Sequence, residues 1–305
     1  MQKLKEILDL IYKSDPLQEK RLKKHLNNSG DVFLRQAEQF ACEYSNYLES
    51  QKIPLNDAVT AYLKLCHDIL RYQIKFMKTG KYPVEESQAP EFIYNDERKM
   101  KSYIIGLAIS QFLWETHYFM YNFFSERIKI YSPHIKDYLE VGPGHGLFLN
   151  KALEYLNNNA KVVVVDISPI SINITKSIVE YFGRAKDISY HTCDILNFNT
   201  EKKFDFITIG EVLEHVKTPA QLLDKIRKLL KPKGRVYIST CVNAPAIDHV
   251  YHFKTVDEIR EMIRESEFSI ETEHVLPVED LPMQDIEQRR ITINYCAILK
   301  RTNNA

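Results

Sequence analysis

An α/β fold is expected over the C-terminal part of the chain: a mainly parallel sheet with helices on both faces, preceded by an all-helical part. Three observations predict it. From about residue 136 short β-rich runs alternate with helical stretches. The early strands are apolar along their whole length, as strands covered on both faces are. Before residue 133, apolar groups recur at helical spacing instead. The 305 residues are therefore divided at 133/134, with a helical lid or substrate-recognition region over 1–133 and a catalytic α/β domain over 134–305.

Composition bounds the partners. Hydrophobic residues make up 44% and charged ones 27%, enough apolar material to bury a core. Lys+Arg and Asp+Glu are both 41, so the formal charge is zero and a nucleic-acid partner is not expected. No apolar run reaches the roughly 18 residues that span a bilayer. The start, MQKLKEILDL, has no signal-peptide core. Five scattered cysteines without a CxxC pair suit free thiols in a reducing compartment, so a cytoplasmic location is expected.

Taken in order, EKRLKKHLNN at 19–28 reads as a basic, solvated helix. PLNDAVTAYLKLCHDILRYQIKFMKTG reads as a long helix opened near Pro54 and stopped by Gly80. TGKYPVEESQAPEF is a linker or lid loop. NDERKMKSYIIGLAISQFLWETHYFMYNFFSERIKIY is a second long helix with a kink expected near Gly106. It carries Trp114, His117, Tyr118, Phe119, Tyr121, Phe123 and Phe124, most of which should be core. An aromatic lid over the sheet edge would fit an apolar or planar acceptor; the same helices could instead make a homodimer. Strands follow at YLEV, VVVVDI, ISYHTC, FDFITIG, RVYIST, SIETEHVL and TINYCAIL. The last two lack a long helix between them, so one of them is expected to run antiparallel.

The first strand enters LEVGPGHGLFL. Gly142, Gly144 and Gly146 allow a sharp turn and a close ligand approach at a helix N-terminus. The dinucleotide fingerprint has its third glycine one residue later. Glu140, just before the loop, would repel a pyrophosphate and suits a positively charged ligand. Asp166 closes the second strand, where an acid accepts from ribose hydroxyls, and Asp194 closes the third, where it could accept from an adenine amine. A ligand with ribose, adenine and a cationic end is S-adenosylmethionine.

Residues 136–300 resemble class I S-adenosylmethionine-dependent methyltransferases in LEVGPGHG, VVVVDIS, CDIL, FDFITIGEVLEHV and LLKPKGRVYIST. The resemblance implies a Rossmann-like seven-stranded sheet of order 3-2-1-4-5-7-6 with strand 7 antiparallel. It also implies that Glu140, Gly142, Gly144, Gly146, Asp166, Ile167, Asp194, Ile195 and Glu211 line the cofactor site.

GEVLEHV admits three readings. It closes the methionine side of the pocket; or Glu211, Glu214 and His215, with His249, hold a divalent metal; or a histidine is the base that deprotonates the acceptor. The metal reading rests on similarity to the Glu-x-x-Glu-His run of ubiquinone-type and small-RNA 2′-O-methyltransferases, and a cation there would lower an acceptor hydroxyl's pKa. His215, His249, His252 and His117 are the base candidates. The function expected is methyl transfer to a small organic acceptor, at a hydroxyl oxygen. Its alternatives are a carbon acceptor, possible on a carrier protein, RNA 2′-O-methylation, and a non-catalytic cofactor-binding subunit.

Overall fold

The computed structural model describes residues 1–82, 96–184 and 187–302, so most of the linker expected at 79–92 lies outside them. The N-terminal part consists of α1 (Lys3–Ser14), α2 (Pro16–Asn28), α3 (Asp31–Ser50), α4 (Leu55–Thr79), α5 (Glu97–Leu113) and α6 (Glu115–Tyr131). Asp15 caps α2 by accepting from the Leu17 and Gln18 amides. Gly80 ends α4 at φ 68°, a left-handed value that favours glycine.

The break expected near Gly106 falls elsewhere. Gly106 lies inside a continuous α5, and a Cβ there would meet the Ala61 carbonyl of α4 at 3.0 Å. Its glycine serves close helix packing rather than a kink. The chain breaks at Trp114, which is extended (φ −106°, ψ 125°) and whose indole N–H donates to Tyr62 Oη at 3.1 Å.

The remainder alternates: β1 (Asp137–Val141), α7 (Leu147–Tyr155), β2 (Lys161–Asp166), α8 (Pro169–Tyr181), β3 (Ile188–Thr192), β4 (Phe204–Gly210), α9 (Pro219–Leu229), β5 (Leu230–Val242), α10 (Val256–Glu265), β6 (Phe268–Pro277), α11 (Met283–Gln288) and β7 (Ile293–Arg301). These strands form one sheet of order β3-β2-β1-β4-β5-β7-β6. β1 to β5 pair parallel, while β7 runs antiparallel to both β5 and β6. The expected order and the single reversed strand are thus present.

Alternation of side chains across the pleat divides the core. On one face Tyr138, Phe206 and Tyr237 pack with Phe123 and Phe124 of α6; on the other, Leu139, Ile207 and Val236 pack with α9 and α10. Phe124 is fully buried, a stabilisation of roughly 1.5–3 kcal/mol by area. α5 also reaches across the carboxyl edge of the sheet. Its Met100 and Ile104 pack with Ile170 and Ile174 of α8 and with Ile247 beyond β5, joining the segments that follow β2 and β5.

Candidate active site

The glycine loop turns through three left-handed glycines, Gly142 (φ 65°), Gly144 (φ 52°) and Gly146 (φ 71°), and delivers the chain to α7. Their surroundings differ. A Cβ on Gly142 would strike Val212 Cγ2 at 2.6 Å, whereas one on Gly144 would meet no atom within 4 Å among the described residues beyond its chain neighbours. Gly144 therefore borders open space on the sheet's carboxyl edge.

Three acidic residues stand at or just beyond the carboxyl ends of β1, β2 and β3. Glu140 is buried and accepts from Tyr138 Oη, which also contacts Thr208 Oγ1 at 2.8 Å. Burial pushes its carboxyl up to about 8. A cation beside it would reverse that and hold it ionised. Asp166, at the end of β2, accepts from the Ser168 amide (2.8 Å) and Ser171 Oγ (2.5 Å); burial nevertheless raises its pKa. The next residue, Ile167, is 56% exposed. Asp194 opens a turn by accepting from the Leu196 amide at 2.9 Å, and Ile195 after it is buried.

At the other rim, the run after β4 is a short 3-10 turn over Leu213–His215. Glu211 enters it at φ 53°, in the left-handed region a glutamate seldom occupies, and its amide is held by the Ser239 carbonyl at 3.0 Å. Its carboxyl lies well above the usual range through burial and the neighbouring Glu214. Glu214 Oε2 accepts from Thr240 Oγ1 at 2.7 Å, and the Glu214 carbonyl accepts from the Val250 and Tyr251 amides. These bonds tie the turn to the loop after β5.

That loop brings in His249 and Asp248. His215 Nδ1 donates to the Asp248 carbonyl at 3.0 Å, and His249 Nδ1 donates to the Ala244 carbonyl at 2.7 Å. Carbonyls only accept, so each neutral ring keeps its lone pair on Nε2. Burial opposes protonation of His215, but Asp248 and Glu214 outweigh it and raise its pKa; burial and His215 lower that of His249. Among the described residues, Glu211 Oε1, Glu214 Oε1 and Asp248 Oδ1 are buried with no geometric hydrogen-bond partner, although the carboxyls of Glu211 and Glu214 neighbour each other. Orphaned carboxylate oxygens are costly unless a cation or a donor is meant to meet them.

The donor geometry modifies the expected metal set. Ligand atoms of Glu214, Cys241 and His249 lie within 4.8 Å of one another, as do those of His215, Asp248 and His249. Glu211 belongs to neither group, although its carboxyl neighbours that of Glu214. Cys241 and Asp248 were not anticipated; Asp248 directly precedes His249, and that adjacency was the available signal.

The other base candidates are separately engaged. His252 contacts Asn243 Oδ1 at 2.8 Å and stacks on Tyr82 at 4.5 Å, outside both groups. His117 is buried at the start of α6, with Nδ1 2.9 Å from Ser110 Oγ. Of the aromatic stripe, Phe123 and Phe124 are core, while Phe119 remains 41% exposed.

A parallel sheet with a reversed penultimate strand, carrying a glycine loop and acids at its carboxyl edge, defines a class. The Methyltransferase domain family matches residues 135–292, more than half of the chain, and the chain belongs to that family. Malonyl-[acyl-carrier protein] O-methyltransferase 1 of Ilyobacter polytropus is 30% identical over 125 residues, 41% of each chain. Ubiquinone biosynthesis O-methyltransferase of Xylella fastidiosa is 35% identical over 102 residues, 33% of this chain and 40% of that one. The match thus spans well under half of either relative's length. A solved structure from Galdieria sulphuraria, assigned as a sarcosine dimethylglycine methyltransferase, shares the fold at a TM-score of 0.50 and 11% identity, over 62% of this chain and 88% of that one. Among the described residues, no helix is long and apolar enough to cross a membrane.

Proposed function

We propose that the chain transfers a methyl group from S-adenosylmethionine to an oxygen of a small organic acceptor, with a divalent cation at the Glu214–His249 cluster. The carrying observation is the sheet edge itself, where Gly144 with its open side, exposed Ile167 and buried Glu140 stand at the carboxyl ends of β1 and β2. These residues fit the cofactor. Asp166 would accept from the ribose hydroxyls, Ile167 would cover the adenine, Asp194 would accept from its amine, and Glu140 would pair with the ammonium. When bound, the cofactor supplies a sulfonium methyl open to in-line attack.

The chain's own contribution is alignment and exclusion of water. α5 roofs the cleft through Met100 and Ile104. Glu214, His215, Asp248 and His249 would hold the cation, which supplies charge to lower the pKa of an acceptor hydroxyl. Oxygen as the acceptor atom is supported by the two curated relatives, both named O-methyltransferases. An acceptor presented on a carrier protein is a second reading, favoured by the first relative's name.

The test is incubation of the purified chain with methyl-labelled cofactor and a small-molecule extract, with and without exhaustive chelation. Label appearing in an organic product, and lost on chelation, is expected. Undiminished turnover after chelation would return Glu214 and His249 to the role of pocket walls. Absence of label from every fraction would sink the catalytic reading.

A further inference from the structure

All five cysteines are free thiols, and among the described residues only Cys241 stands in a group of metal-type donors. It lies near the end of β5, buried, with Sγ 3.8 Å from His249 Nδ1. Sγ, a Glu214 carboxylate oxygen and a ring nitrogen of His249 are all within 4.8 Å of one another. In tetrahedral zinc sites, bonds of about 2.0–2.3 Å keep ligand atoms roughly 3.3–3.8 Å apart. The three donors come from β5, the turn after β4 and the loop after β5. A closure on the order of 1 Å would let them share one ion.

Other bonds define which electron pairs two of the three can lend. Glu214 Oε2 accepts from Thr240 Oγ1 at 2.7 Å, while Oε1 is buried with no geometric hydrogen-bond partner among the described residues. His249 Nδ1 donates to the Ala244 carbonyl at 2.7 Å, so the lone pair of the ring is on Nε2. His249 also belongs to the group that contains His215 and Asp248. We propose that Cys241 is a thiolate ligand of the cation at this cluster, which makes the site one for zinc-type ions rather than magnesium.

The assignment rests on the cation reading above and adds to it a ligand and a class of ion. Thiolate and imidazole donors suit zinc and its neighbours in the first transition row, whereas magnesium takes an octahedron of oxygens and keeps several waters. On binding, the S–H bond breaks, the proton goes to solvent, and a sulfur electron pair forms the bond to the metal; nothing is oxidised or reduced. As a small apolar group alone, a cysteine would be expected to be buried. That accounts for its burial but not for its place beside a buried carboxylate and an imidazole.

Cobalt(II) is the probe, because it occupies zinc sites and its bond to a thiolate absorbs in the near ultraviolet. The full chain, stripped with a chelator and titrated with Co²⁺, should develop that absorption up to about one ion per chain and lose it when Zn²⁺ is added. Cys241→Ser and Cys241→Ala should abolish the absorption. Cys42→Ser and Cys193→Ser, at the two half-buried cysteines, should leave it in place. By calorimetry, Cys241→Ser should weaken Zn²⁺ by roughly a hundredfold, at least what is lost with a residue that only orients a ligand. Mg²⁺ should stay within about twofold of wild type. X-ray absorption at the zinc edge of the wild type needs no substitution and decides the matter even where a Cys241 variant fails to fold: one sulfur at about 2.3 Å is expected. A bound ion with no sulfur neighbour, or an absorption that survives in both Cys241 variants, overturns the thiolate assignment and leaves the cation reading standing. A wild type that binds none of Co²⁺, Zn²⁺ and Mg²⁺ overturns both.

Discussion

The imidazoles of His215 and His249 stand edge to face, their centroids 4.8 Å apart and their planes at 90°. They come from different loops, one after β4 and one after β5, and each donates its Nδ1 proton to a backbone carbonyl. Such bonds are what fix tautomer and direction in histidines that ligate metals. Beside them lie the orphaned Glu214 Oε1 and Asp248 Oδ1.

Loss of the cation is the first expectation from that pairing. Glu214→Ala or His249→Ala should weaken calorimetric titration of Mg²⁺, Mn²⁺ or Zn²⁺ by roughly ten- to hundredfold relative to wild type. Elemental analysis should show about one ion per wild-type chain and none after either substitution. An unmetallated wild type under all conditions would refute the cation site.

Glu140 makes stability depend on pH. Its carboxyl titrates at about 8 when folded, against an ordinary value of 4.5, because burial disfavours the charge. Between those values the folded chain holds the extra proton, so stability falls as pH rises, by on the order of a few kcal/mol in all. Glu140→Gln should flatten this slope in thermal melts between pH 5 and 8 while weakening S-adenosylhomocysteine. A slope identical to wild type would place the carboxylate in water.

Asp166→Asn removes the ribose acceptor with little change in shape. Cofactor affinity should fall roughly tenfold or more. Because Asp166 also accepts from the Ser168 amide and Ser171 Oγ, a stability loss of about 1 kcal/mol is expected alongside. Wild-type affinity by calorimetry would remove Asp166 from the cofactor site.

Gly144→Ala and Gly142→Ala should behave differently. At Gly144 the added methyl meets no atom among the described residues beyond its chain neighbours, so the cost is the left-handed backbone, about 1–2 kcal/mol, and cofactor binding is lost. At Gly142 the methyl strikes Val212 at 2.6 Å, and the fold should lose more than in Gly144→Ala. Equal melting temperatures for the two variants would contradict this account.

The α/β half was legible because its signals are local. VVVV is apolar throughout, so it reads as a buried strand, and the glycines of LEVGPGHG mark positive φ whatever surrounds them. Helix boundaries were less legible. Gly106 signalled a kink, but its meaning depended on the distance to Ala61, which no local pattern carries. Trp114, an ordinary helix residue by propensity, broke the chain because its indole found Tyr62.

The sequence by itself determined the strand and helix order, the glycine loop, and the acids that end β1, β2 and β3, since periodicity and turn chemistry act within a few residues. Which side chains share a cluster was decided only by tertiary structure. The Glu214 carbonyl fastens the turn after β4 to the loop after β5 through two amides, and this puts Cys241 and Asp248 beside Glu214, His215 and His249. Glu211, which neighbours Glu214, belongs to neither donor group. Contacts between distant segments depend on how strands register and loops are fastened, and spacing along the chain does not encode either.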